Sequence, residues 1–301
     1  MRKRGWFRAL LIIIPYIIAF GLGEYIGALI VGVSPVNMDA RTGVQEMLVT
    51  FFSVLFACSL VYLFVRFVDR ESFMAIGWQL KVPPVQLAGV SAAVVGTFML
   101  GFVLLLITRQ IQFIGFNLNW AELGASLLLF LFVAINEELL VRGYILKNLL
   151  QSTNEKWALL LSSALFAALH MMNPNVSFLA FVNLFLAGIL LGTAYLLGRG
   201  LWMPICIHFF WNFTQTHLGY SVSGMKMYSL IRINETHPSI WNGGEFGFEG
   251  SILAVVFQMV AIAVMWQIYI KNRLRACESG QTNPMQTAPE TDGKEQLEAT
   301  I

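Results

Sequence analysis

Eight apolar runs follow one another from residue 6 to residue 270, with only short polar connectors between most of them. An α-helix rises 1.5 Å per residue, so about 20 apolar residues cross a hydrocarbon core of ~30 Å. The runs lie at 6–33, 47–68, 86–108, 123–150, 156–172, 176–197, 201–218 and 251–270. Composition agrees: 57% of the residues are hydrophobic and 12% charged, about half the charge of an ordinary soluble domain. The expected fold is all-α, a polytopic membrane helix bundle of about eight transmembrane helices. No nucleic-acid partner is expected; the net charge of +2 itself says little.

The connectors divide the chain. Residues 1–122 hold three spans and their connectors, and 123–218 form a core of four. Residues 219–250 are a polar extracytoplasmic loop, 251–271 the eighth span, and 272–301 a tail rich in Gln, Thr, Glu and Pro that is expected to be disordered. The first run is too long for a signal-peptide h-region and reads as a retained span. Glu24 falls about 27 Å along it, at the far interface. Gly89, Gly96 and Gly101 suit the third span to close helix contacts. Connectors on the N-terminal side carry Arg66, Arg70, Lys81, Lys147, Lys156 and Arg199, against Arg41, Arg109, Lys226 and Arg232 on the other. By the positive-inside rule both termini are cytoplasmic, in the plasma membrane if the source is bacterial. Cys58, Cys206 and Cys277 lack CxxC spacing, so neither a disulfide framework nor a thiolate metal site is indicated. His217 and His237, in or near the outer loop, read as solvated.

Against this apolar background one stretch stands out: Asn136-Glu137-Glu138-Leu139-Leu140-Val141-Arg142. Charges at membrane depth cost several kcal/mol each and need partners or a water-filled cavity. Successive helix residues point about 100° apart, so the two carboxylates face different ways. Glu138 and Arg142, four apart, have the spacing of an ion pair, which leaves Glu137 without a local counter-charge. Burial raises a carboxylate towards the range of a general base. His170 closes Phe166-Ala167-Ala168-Leu169-His170 on a second run. His208 and Asn212, four apart on a third, look one way and can both donate to a developing oxyanion. A packing clamp is the competing reading of these polar residues, since polar side chains also bond helices together in membranes.

Taken in order, Glu-Glu-x-x-x-Arg, Phe-x-x-x-His and His-x-x-x-Asn resemble the CAAX-processing and bacteriocin-processing protease family (CPBP, also called Abi). All three motifs are present without substitution, and Gly143-Tyr144 also fits. The resemblance covers residues 123–218 and implies an intramembrane endopeptidase with an eight-helix bundle. It implies that Glu137 and His170 activate a water, that His208 and Asn212 hold the scissile carbonyl and its oxyanion, and that Glu138 and Arg142 support the site. The substrate would be a membrane-associated peptide or a prenylated CAAX-type protein. Members have been classed as metalloproteases, and a metal-free glutamate mechanism is also proposed for them. There is no His-Glu-x-x-His motif. Glu137, His170 and His208 could still make a three-ligand zinc site; Asn212, a poor zinc ligand, tips the reading towards no cofactor. A proton-coupled transporter and a catalytically silent scaffold are the alternative functions. Depth counting leaves one tension. Glu137 lies about 21 Å from the outer end of its run and His208 about 10 Å from the inner end of its own, whereas His170 lies about 21 Å from the inner side. A single site then requires the fifth helix to begin outside the bilayer, or its boundary to shift.

Overall fold

The computed structural model describes residues 4–37 and 41–278. Ten α-helices and two short strands occur among them. The first run becomes α1 (Gly5–Leu11) and α2 (Ile13–Val31), in line apart from a break at Ile12. α3 (Gly43–Leu63) opens on a capping box in which the Thr42 and Gln45 side chains each bond the other's backbone, and it ends in a π-helical turn, Phe64–Asp69. α4 (Pro84–Ile107) starts with Pro at its first position, where no N–H is needed. β1 (Ile111–Phe116) follows. α5 (Trp120–Glu138), capped by Asn119, runs through a π-helix (Leu139–Leu146) into α6 (Lys147–Leu150) without a break. Asn154 caps α7 (Glu155–Leu169) and Ser177 caps α8 (Phe178–Gly198). α9 (Trp202–His217), β2 (Ile231–Glu235) and α10 (Ile252–Glu278) complete the chain.

All eight runs are helical, and six helical stretches are long and apolar enough to cross a membrane. The two shorter ones are α7 and α9, with 15 and 16 residues, about 22 and 24 Å long. These two carry His170, His208 and Asn212. α10 extends to Glu278, so 272–278 are helical rather than part of a disordered tail; 279–301 lie outside the described residues.

α7 and α8 form an antiparallel pair whose closeness depends on two glycines. A Cβ on Gly188 would sit 2.6 Å from Ser163 Cβ, and one on Gly192 2.6 Å from a Leu159 methyl. On α2, Gly23 meets the α3 backbone in the same way. Of the three glycines expected to serve α4, only Gly101 does so, against Phe248; Gly89 and Gly96 face open space. The main core gathers Tyr144, Ile145, Leu146, Phe166, Leu184 and Tyr195 around the middle of the bundle.

The outer loop is not a solvated connector. β2 pairs antiparallel with β1, Ile111 opposite Glu235, with a register shift between Phe113 and Gly115. Past the strand, Phe246 and Phe248 are buried, and the Ser251 carbonyl accepts a 2.9 Å hydrogen bond from Asn183 Nδ2 inside α8. The loop therefore turns back into the bundle. At the opposite end Glu155 bonds Tyr269 (3.0 Å) and Arg273 (2.7 Å), where α10 turns from apolar to basic. α7 thus begins beside the end of α10 where that helix turns basic. Glu24 shares Arg41 with Glu46 in ion pairs of 3.5 and 3.0 Å.

Candidate active site

The last turn of α5 aims its two carboxylates apart, as the helical repeat requires. Glu138 turns into the protein and is fully buried. Its Oε1 accepts from Arg142 Nη1 at 2.7 Å and from His208 Nδ1 at 2.8 Å. The Arg142 guanidinium also donates to the Gly188 carbonyl at 3.2 Å and lies 4.6 Å from the centre of the Phe166 ring. Phe166 is thereby a hub: the same ring packs against His170 at 4.6 Å and meets His208 edge-on at 6.3 Å. The expected Glu138–Arg142 pair is present; the link from Glu138 to His208 was not foreseen, because it joins helices far apart in sequence.

Glu137 faces the other way, with 27% of its side chain exposed. Its Oε2 is nevertheless buried and has no hydrogen-bond partner. That oxygen lies 3.6 Å from His170 Nε2 and 3.9 Å from His208 Nε2, both beyond direct hydrogen-bond length. His170 caps the end of α7, and its Nδ1 contacts the Phe166 carbonyl at 2.8 Å. A carbonyl only accepts, so Nδ1 carries a proton and the ring turns Nε2 towards Glu137. Glu137 Oε2 and His170 Nε2 thus face each other across a gap, an arrangement that a bridging water would satisfy. On His208 the Nδ1–H goes to Glu138, which leaves Nε2 on the Glu137 side. Asn212, one turn further along α9, is buried and makes no side-chain hydrogen bond among the described residues, so its carboxamide is free for a ligand.

The structure therefore brings Glu137, Glu138, Arg142, His170 and His208 together, with Asn212 on the His208 face. For the metal reading, no group of three or more His, Cys, Asp or Glu side chains among the described residues is arranged to hold an ion. Nothing here supports the metalloprotease label. His217 is a correction: it is buried, not solvated, with Nε2 2.9 Å from Ser126 Oγ. His237 is exposed as expected. The residues that sequence reasoning missed lie on the loop side. Glu249 is buried and accepts from Trp211 Nε1, Ser223 N and Ser223 Oγ. The available signal was an acid flanked by Phe246, Phe248 and the four glycines Gly243, Gly244, Gly247 and Gly250, a composition poorly suited to a solvated loop.

With this geometry in hand, the comparison with known families gives one match: the model described as Type II CAAX prenyl endopeptidase Rce1-like fits residues 119–214. No curated protein and no solved structure matches the chain. The matched stretch contains all three motifs and agrees with the resemblance read from them. It supports a CAAX-type intramembrane protease, multi-pass in the membrane, with a lipidated peptide or protein as substrate, and does not favour the transporter or scaffold readings.

Proposed function

We propose that this protein is a membrane-embedded endopeptidase that cleaves a peptide bond near the C-terminus of a lipidated, CAAX-type protein or peptide, using a water activated by Glu137 and His170. The single observation that carries the reading is the buried, unpartnered Glu137 Oε2 facing Nε2 of His170 at 3.6 Å. A water held there donates one hydrogen to each. As its oxygen attacks the scissile carbonyl carbon, a proton passes to this Glu137–His170 pair. The carbonyl oxygen becomes an oxyanion and takes hydrogen bonds from the Asn212 amide and from His208 Nε2–H. For His208 to donate at Nε2 while its Nδ1–H is held by Glu138, the ring must be an imidazolium, and Glu137 and Glu138 flank it. Collapse of the tetrahedral intermediate breaks the C–N bond, and the proton taken from water leaves with the amine. Glu138 and Arg142 hold His208 in place and take no part in proton transfer.

We further propose that the reaction uses no metal. Purified protein should contain no stoichiometric zinc and should keep its activity in chelator; restoration of a chelator-lost activity by zinc would overturn this part of the proposal.

The deciding measurement is single-turnover cleavage of farnesylated and geranylgeranylated CAAX peptides by purified wild type beside Glu137→Gln. Wild type should cleave, and the nearly isosteric variant should lose at least about 10²-fold with an unchanged melting temperature. A variant that cleaves normally removes Glu137 from the mechanism.

A further inference from the structure

Glu249 stands outside the three motifs, yet it joins two of the chain segments that carry them. Its Oε1 accepts from Trp211 Nε1 at 3.1 Å, and Trp211 is the neighbour of Asn212 on α9. Its Oε2 accepts from the Ser223 amide at 2.8 Å and the Ser223 hydroxyl at 3.0 Å. The Ser223 carbonyl in turn accepts from Asn173 Nδ2 at 3.2 Å, and the Asn173 amide bonds the His170 carbonyl at 3.0 Å. An unbroken line of hydrogen bonds therefore runs from the His170 end of α7, through Glu249, to the Asn212 turn of α9.

The seating of this line is tight. Ser223 holds a positive φ of 50°, a conformation that a non-glycine residue keeps only where its surroundings impose it. Gly224, at φ 84°, lies so close to the turn after His170 that a Cβ would sit 2.1 Å from the Pro174 carbonyl oxygen. Gly247 approaches the Ser221 carbonyl oxygen even more closely. Burial pushes the Glu249 carboxyl up, and the Ser223 donors and the imidazoles of His170 and His208 pull against it. An acid that is costly to bury is thus retained where three donors converge.

We propose that Glu249 is a positioning residue for the protease reaction: it clamps the outer loop onto the turn after His170 and onto α9, and so sets the His170 and Asn212 side chains across the site from each other. This role rests on the protease reading. A carboxylate suits the clamp because it accepts on both oxygens, whereas a glutamine would turn an N–H₂ towards one of the donors.

Two measurements on the full-length protein in detergent, for Glu249→Gln, Trp211→Phe and Ser223→Ala, test it. The first is backbone hydrogen exchange, which needs no substrate. Exchange at 170–175 and 219–225 should quicken in Glu249→Gln and Trp211→Phe, and less in Ser223→Ala, which keeps the amide bond, while the melting temperature stays near wild type. The second is turnover of any lipidated peptide that wild type cleaves: kcat should fall about 10–100-fold, the scale expected for misplaced catalytic groups, with KM little changed. Unaltered exchange at 170–175 would overturn the clamp. So would a loss confined to KM, or a fall in melting temperature that accounts for all the lost activity. If wild type cleaves no peptide, the protease reading fails by itself and the exchange measurement still decides whether the clamp exists.

Discussion

At the scale of single residues, Glu137 and Glu138 are chemically identical and have opposite surroundings. Glu138 is paired through Oε1 with a guanidinium and an imidazole N–H, whereas Glu137 has no such bond; each keeps a buried Oε2 without a partner, and that of Glu137 faces His170 and His208. A paired buried ion is costly to break, because removing one partner strands the other, at about 3–5 kcal/mol. Arg142→Ala should therefore lose folded protein, seen as a large fall in melting temperature and in denaturant midpoint in detergent. It also removes the cation from the Phe166 ring and a donor from the Gly188 carbonyl. Glu137→Gln, by contrast, should melt like wild type. Both contrasts could be argued from the spacing of Glu137, Glu138 and Arg142. The capture of His208 by Glu138 could not, since no local pattern tells which helix a buried carboxylate will face.

At the scale of elements, local chemistry was legible and distant pairing was not. The boundaries at Thr42, Asn154 and Ser177 follow from side chains that cap the next helix within a few residues. The π-helix at Leu139–Leu146 has no proline to announce it, and i→i+5 bonding leaves no mark in the hydrophobic pattern. β1 is a short apolar run whose partner lies far downstream, so periodicity alone could not identify it. Glycines were half legible: a missing Cβ permits close approach without naming the neighbour. Gly188 meets Ser163, while Gly89 meets nothing within 4 Å. Gly188→Leu should thus prise α7 from α8, costing about 1–3 kcal/mol as overpacking does, and should impair turnover by displacing His170. Gly89→Leu is the matched control and should change neither. Equal melting temperatures for the two variants would show that the α7–α8 contact is not the constraint described.

At the scale of the whole molecule, six long helices pack with two short ones that bear the motif histidines. The distribution of Lys and Arg predicts an orientation with both termini cytoplasmic. In a cysteine-free background, cysteines placed at the exposed positions Lys81 and Arg199 should react only with reagents admitted from the cytoplasm. One at the exposed His237 should react from outside; labelling on the opposite sides would invert the topology. The β1–β2 ladder has a further consequence, for the order in which the molecule is made. Chains fold from the N-terminus during synthesis, and β1 lies before α5 whereas β2 lies after α9. Glu137, His170 and Asn212 therefore enter the membrane before β2 and the Glu249 turn exist. A nascent chain halted after α9 would carry every motif residue and lack both the β1–β2 ladder and the bonds from Glu249 to Trp211 and Ser223. The residues of the three motifs are thus assembled first, and the outer loop is fastened to α9 afterwards.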